Sequence, residues 1–177
     1  MGAALVKCAN CGYRNRVPAA AEGVPRCGHC HQPLPWIADA DDDTFAEVAE
    51  AASIPVVVDM WAPWCGPCRM VSPALERVAT ELAGRVKLVK VNVDDSPKLR
   101  QRFDVMAIPT LMVLRRGQVA AQRAGAAPAA SLRTWVEEVL RMLPIQGSGS
   151  PEHMAENVAA AGLELSPDEV TAITKNA

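Results

Sequence analysis

Aromatic residues are scarce in this chain: two Phe, one Tyr and four Trp among 177 residues. A nucleic-acid surface needs basic and aromatic residues clustered together, and residues 1–35 offer only Lys7, Arg14, Arg16, Arg26 and Tyr13. An excess of one charge is also lacking, with 18 basic and 20 acidic residues. Residues 152–177 hold five acids and one lysine, a net of −4, which leaves the remainder at +2. Neither balance suits a polyanion or a membrane surface. No apolar run has the roughly 20 residues needed to cross a bilayer. Met1-Gly2-Ala3-Ala4-Leu5-Val6-Lys7-Cys8 has no basic region followed by an apolar signal core. These absences predict a cytoplasmic protein without nucleic-acid or membrane partners. In that setting six cysteines argue for metal or redox chemistry rather than a disulfide scaffold.

Two of the cysteines stand in Trp64-Cys65-Gly66-Pro67-Cys68, directly after the apolar run Ile54-Pro55-Val56-Val57-Val58-Asp59-Met60-Trp61. The run predicts a buried strand, and the residues after it a helix. A thiol at a helix N-terminus meets unpaired backbone N–H groups and the positive end of the helix dipole, and both favour the thiolate, which is the nucleophile.

The other four cysteines form Cys8-x-x-Cys11 and Cys27-x-x-Cys30, fifteen residues apart. That spacing predicts a zinc ribbon, in which two knuckles supply four thiolates to one tetrahedral Zn²⁺. Gly12 and Gly28 are the residues that such knuckle turns would use. Two disulfides, free thiols, or His29 or His31 as a ligand are the alternatives. Four thiolates leave no open coordination position, so the metal is expected to be structural. Residues 1–35 have few large apolar side chains and need such a staple to fold.

Further along, Asp41-Asp42-Asp43-Thr44 opens a predicted helix reaching about Ala52. A helix over 65–83 follows the 54–61 strand. It has Val71, Leu75, Val78 and Leu82 on one face and Pro73 to bend it. A strand over 86–93 comes next, then a short helix begun by Ser96-Pro97 and running to about Phe103. Thr110–Arg115 and Val119–Ala124 flank a hairpin turn at Arg116-Gly117-Gln118. Pro128 opens a last helix that buries Leu132, Trp135, Val136, Val139, Leu140 and Leu143. The order is β-α-β then β-β-α, an α/β fold with helices on both faces of a mixed sheet.

Trp64-Cys65-Gly66-Pro67-Cys68, with Ile108-Pro109-Thr110, Asp59, Lys90, Pro73, Gly117 and Gly125 in order, resembles the thioredoxin family from about Asp39 to about Leu143. With the N-terminal cysteines the likeness extends from about Lys7 and is to the zinc-binding second type of thioredoxin. The resemblance implies a thioredoxin fold preceded by a small zinc ribbon. It implies protein-disulfide reductase activity, with Cys65 as nucleophile and Cys68 as resolving thiol. Asp59 would accept the Cys68 proton and Lys90 would supply its counter-charge. Trp64, Gly66, Pro67, Ile108, a cis Pro109 and Gly125 would bind substrate. Thioredoxin reductase, fed by NADPH, and disulfide-containing client proteins would be the partners; no bound organic cofactor is expected. Pro63 departs from thioredoxins that carry an acid there. The competing readings are an oxidase or isomerase, a zinc-regulated redox sensor or binding module on a thioredoxin scaffold, and a carrier for the C-terminal residues.

The predicted boundaries are a zinc ribbon over 1–35, a thioredoxin domain over 36–145, a linker over 146–153 and a helical tail over 154–177. Gly147-Ser148-Gly149-Ser150-Pro151-Glu152-His153-Met154 looks like an engineered linker ending in a cloning-site His-Met. Ser166-Pro167-Asp168-Glu169 is a capping box with proline at N1, and Leu165 and Val170 take the staple positions. So short a helix is marginal alone in water. The tail is therefore expected to dock on its own domain, a neighbouring molecule or a parent protein from which it was cut. A natural extension on a flexible linker is the alternative.

Overall fold

The structure is a computed structural model that describes residues 3–21 and 23–142. The predicted linker and tail lie outside the described residues, as does Leu143. Among the described residues seven strands and three α-helices follow one another: β1 (Ala3–Lys7), β2 (Arg14–Pro18), β3 (Trp36–Ala40), β4 (Val56–Trp61), α1 (Cys68–Glu81), β5 (Lys87–Asn92), α2 (Pro97–Arg102), β6 (Thr110–Arg115), β7 (Gln118–Ala124) and α3 (Ala129–Met142). The β1–β2 pair is an antiparallel hairpin, and the other five strands form one sheet in the order β3-β5-β4-β6-β7. In that sheet β5 runs parallel to both β3 and β4, while β6 pairs antiparallel with β4 and β7. It is the mixed sheet that the alternation of elements predicts.

β4 and β6 are buried along almost their whole length, as continuous apolar strands covered on both faces must be. On one face Phe45, Val48, Met60, Val91 and Leu114 pack together. On the other, Val71, Leu75 and Val78 of α1 meet Leu132, Val136 and Val139 of α3. Trp135 and Leu140 are only partly buried at the edge of that second cluster.

Several local expectations are revised. The 41–52 segment forms a single π-helical stretch, Ala46–Glu50, entered through an Asp41 side chain that accepts the Thr44 and Asp43 N–H groups at 3.0 and 3.1 Å. Ser96 does stand at the cap of α2, but its side chain makes no cap bond. The Asp42 carboxylate does so instead, accepting the Lys98 and Leu99 N–H groups at 3.0 and 2.9 Å. The β6–β7 turn is the two-residue Arg116-Gly117, with φ of 49° and 76° and Arg115 opposite Gln118. Two successive left-handed residues match the twist of the strands they join. β1, β2 and β3 are additions to the predicted elements.

Candidate redox and metal sites

β4 delivers Trp61 to the surface at the end of its buried run, and a short turn carries the chain through Trp64 into α1. The helix begins at Cys68, with Pro67 as its cap residue, so Cys65 lies three residues ahead of the first helical residue rather than within the helix. The Cys68 N–H donates to Cys65 Sγ at 3.2 Å. The amino end of α1 thus places a backbone donor on the first sulfur, the arrangement that stabilises a thiolate. Here the two cysteines are joined as a disulfide, and they are 4% and 2% exposed. Trp64 by contrast is 66% exposed, and its indole N–H donates to Asp94 Oδ2 at 2.8 Å.

Ile108-Pro109 is a cis peptide. Pro109 O accepts the Gly125 N–H at 2.8 Å, which ties the predicted groove glycine to the proline segment. Gly66 and Pro67 are exposed beside the disulfide.

Near the carboxyl end of β4, Asp59 is fully buried. Its Oδ2 accepts the Ser72 hydroxyl at 2.5 Å, and its Oδ1 has no hydrogen-bond partner among the described residues. Burial raises the Asp59 pKa above the ordinary carboxylate value; the Ser72 bond and the Lys90 charge oppose that rise, and Glu76 adds to it. Lys90 is beside Asp59 in the β4–β5 register, as a counter-charge would be. Its ammonium, however, pairs with Glu76 Oε1 at 2.8 Å and lies over the Trp61 ring at 5.5 Å. Ser72 and Glu76 were not singled out by the sequence. Their one signal was the helical spacing 68, 72, 76, which puts both on the face that carries Cys68.

The second site is built by two turns of the same form. In each, the first cysteine accepts the N–H of the fourth residue on: Gly12 to Cys8 and His31 to Cys27, both at 2.9 Å. Its own N–H donates to the fifth residue on, Tyr13 or Gln32, again at 2.9 Å. The left-handed positions are Gly12 at φ 75° and His31 at φ 59°; Gly28 has another task. Asn15, almost buried, accepts the Gly28 N–H at 3.0 Å and donates to Cys27 Sγ at 3.6 Å, bridging the two turns. The four Sγ atoms lie within 4.8 Å of one another. Cys8–Cys30 and Cys11–Cys27 are 3.5 and 3.6 Å apart. Tetrahedral Zn–S bonds of about 2.3 Å require sulfurs roughly 3.8 Å apart, so the four cysteines fit such an ion. Cys27 is drawn down to about 6, first by the Cys30 backbone N–H, and Cys30 is lowered chiefly by that of Gln32. The second turn therefore favours the charged sulfur that a metal needs, whereas Cys11 of the first turn, although lowered by the Tyr13 backbone bond, is pushed up to about 12 by burial and by the neighbouring Cys30, Cys27 and Cys8 side chains. His29 stacks on Tyr13, and neither it nor His31 belongs to the cluster of candidate ligands.

The thioredoxin family model matches residues 36–138. Among similar proteins, the thioredoxin of Rhodospirillum rubrum is 47% identical over 96 residues, 54% of this chain and 92% of the relative. That of Haemophilus influenzae is 45% identical over 98 residues, 55% and 92%. Thioredoxin C-3 of Corynebacterium nephridii is 35% identical over 141 residues, 77% of this chain and 96% of the relative, a longer stretch than the family model covers. The sheet order, the disulfide at the mouth of α1 and these matches agree, and the chain belongs to the thioredoxin family of thiol-disulfide oxidoreductases.

Proposed function

We propose that this protein is a general protein-disulfide reductase that works through Cys65 and Cys68. The observation that carries the reading is the placement of the pair: Cys65 Sγ receives the first N–H of α1, and Ser72, one turn on from Cys68, bonds a buried carboxylate whose other oxygen has no partner among the described residues. Cys65 thiolate attacks a client disulfide and forms a mixed disulfide. Cys68 gives its proton to Asp59 and attacks Cys65 Sγ, closing the Cys65–Cys68 disulfide and releasing the reduced client. Lys90 tempers the cost of the buried acid. Trp64, Gly66, Pro67, Ile108, Pro109 and Gly125 hold the client strand. The exposed side chains of Trp64, Met70 and Met106, each within three residues of one of these segments, add apolar contact area. Thioredoxin reductase and NADPH return the dithiol. Cys8, Cys11, Cys27 and Cys30 hold one structural Zn²⁺, which supplies folding free energy to a ribbon over residues 1–35. Among the described residues no helix is long and apolar enough to cross a membrane, which supports a cytoplasmic setting.

The test is the redox midpoint of Cys65–Cys68, read by alkylation and peptide mass spectrometry in graded dithiol buffers, followed by NADPH consumption with thioredoxin reductase and a disulfide client. A midpoint well below the glutathione poise, roughly −220 mV or lower, and NADPH consumption that requires Cys65 are expected. A midpoint near roughly −120 mV, the strongly oxidising end, would make the protein a disulfide donor and end the reading.

A further inference from the structure

We propose that Ser72 is a positioning residue for the proton transfer within disulfide exchange. Its hydroxyl, donated to Asp59 Oδ2, leaves Oδ1 as the oxygen that takes the Cys68 proton and keeps the carboxylate in the charged form that can take it. The proposal rests on the reading of Asp59 as the proton acceptor.

Ser72 stands four residues after Cys68, on the same face of α1, and both are buried. A serine inside a helix ordinarily bonds the carbonyl four residues back or turns to water. This one bonds Asp59 at 2.5 Å instead, across the α1–β4 contact. It is the one hydrogen-bond donor to the Asp59 side chain among the described residues. Cys68 and Ser72 also line a common open pocket of about 260 Å³, together with Trp61, Pro73, Glu76 and Lys90. That volume has room for a few waters beside the Cys68 thiol.

The charged groups that act on Asp59 are Glu76 from α1 and Lys90 from β5, while Cys68 and Arg69 line the pocket that Ser72 also lines; β6 opposes Asp59 with Leu111. Lys90 is shared with Glu76 at 2.8 Å, so its charge is divided between two acids. Ser72 is then the group that favours the ionised carboxylate by direct contact, against the burial that raises the Asp59 pKa, because a donor to the charged form favours that form. The exchange step balances as follows. Cys68–SH loses its proton to Asp59. The Cys68 sulfur forms a bond to Cys65 Sγ, the Cys65–client bond breaks, and the electron pair leaves on the client thiolate. Overall the dithiol is oxidised by two electrons and the client disulfide is reduced. The Asp59 proton then passes to solvent.

The experiment uses the full chain in its reduced form, with carbon-13 in the aspartate carboxyls. The Asp59 signal is followed against pH in wild type, S72A, S72T and D59N. In parallel, the mixed disulfide between Cys65 and thionitrobenzoate is resolved by Cys68 in a stopped-flow instrument, and the rate is read against pH. Alanine is the better helix former, and melting curves verify that S72A is folded. The S72A Asp59 midpoint should move up by about one pH unit, a tenfold change in proton affinity. The acid limb of the resolution rate should move with it, and S72T should return both toward wild type. A folded S72A with an unmoved midpoint and rate profile overturns the proposal. D59N separates the two ideas. If D59N keeps the wild-type rate profile, Asp59 is not the acceptor and the parent reading fails. If D59N loses the acid limb while S72A is unchanged, the role of Ser72 alone fails.

Discussion

Lys87 shows at the residue scale how far a buried charge can be from its usual company. It opens β5, is fully buried and forms no ion pair among the described residues. Its ammonium donates to Ala19 O at 2.6 Å and to Val48 O, and lies over the Trp36 ring at 4.0 Å. Burial lowers its pKa from the ordinary 10.5 to about 8. Between those values the unfolded chain holds more proton than the folded one, so stability rises with pH across that window, while below about 8 the cost of the buried charge is fully present. The slope should approach at most about 1.4 kcal/mol per pH unit. Thermal melts from about pH 7 to about pH 10 should show this rise in wild type and its loss in Lys87→Met, in which no ammonium titrates. Parallel curves would place the rise elsewhere. The sequence contained Lys87 only as one polar letter at the edge of an apolar run, the pattern of a solvated lysine. Its burial comes from Ala19 and Val48, residues 68 and 39 positions away.

At the scale of elements, the helix caps separate what a local pattern specifies from what a neighbour supplies. Ser96-Pro97 marked the start of α2 correctly, because proline at the first helical position is already shaped for it. The donors at the second and third positions go to Asp42, and the Ser96 hydroxyl is buried without a partner. Asp42→Ala should therefore cost about 1 kcal/mol, the usual worth of a cap. Ser96→Ala should be nearly neutral, since it removes a group that has gained nothing by burial. Urea titrations of the two variants test the contrast, and an equal loss in both would show that Ser96 caps after all. The π-helical stretch Ala46–Glu50 falls in the same category. Its acids and alanines read as an ordinary helix, and periodicity over five residues cannot tell one helical pitch from another. The knuckles repeat the lesson: glycine after a cysteine suggested both turns, yet His31 takes the second left-handed position, one that histidine tolerates better than most residues.

For the molecule as a whole, the N-terminal segment packs directly on the five-stranded sheet. Trp36 Nε1 donates to Pro18 O at 2.9 Å, and Gly84, at φ 83°, leaves room for Pro33, whose Cβ would lie 2.9 Å from any added methyl group. The small cluster there has five buried members, Cys8, Val17, Cys27, Leu34 and Trp36, and two of them are candidate ligands. With the zinc proposed above, such a core would depend on the metal for its folding, whereas the two clusters flanking the sheet need none. On removal of the metal by a strong chelator, amide exchange over residues 3–34 should approach unfolded rates while β4, β5 and β6 stay protected. Metal analysis beforehand should give one zinc per chain. Loss of protection throughout would mean that the segment and the sheet fold as one metal-dependent unit.

The cysteine spacings, the apolar run before Trp64, the proline and glycine punctuation and the spacing of Leu132, Val136 and Val139 were enough to locate the thiol-disulfide pair and the four-cysteine cluster, and to set most of the sheet and helix order. Each is a signal carried by neighbours in sequence, through helical or strand periodicity, turn geometry or the short reach of a knuckle. The tertiary structure alone decided that Ser72 holds Asp59, that Lys90 is shared with Glu76, that Asp42 caps α2 and that Lys87 is buried under the N-terminal segment. Each of these joins residues from different elements. Whether a polar side chain is solvated or satisfied in the interior depends on what the fold brings against it, and no local pattern contains that.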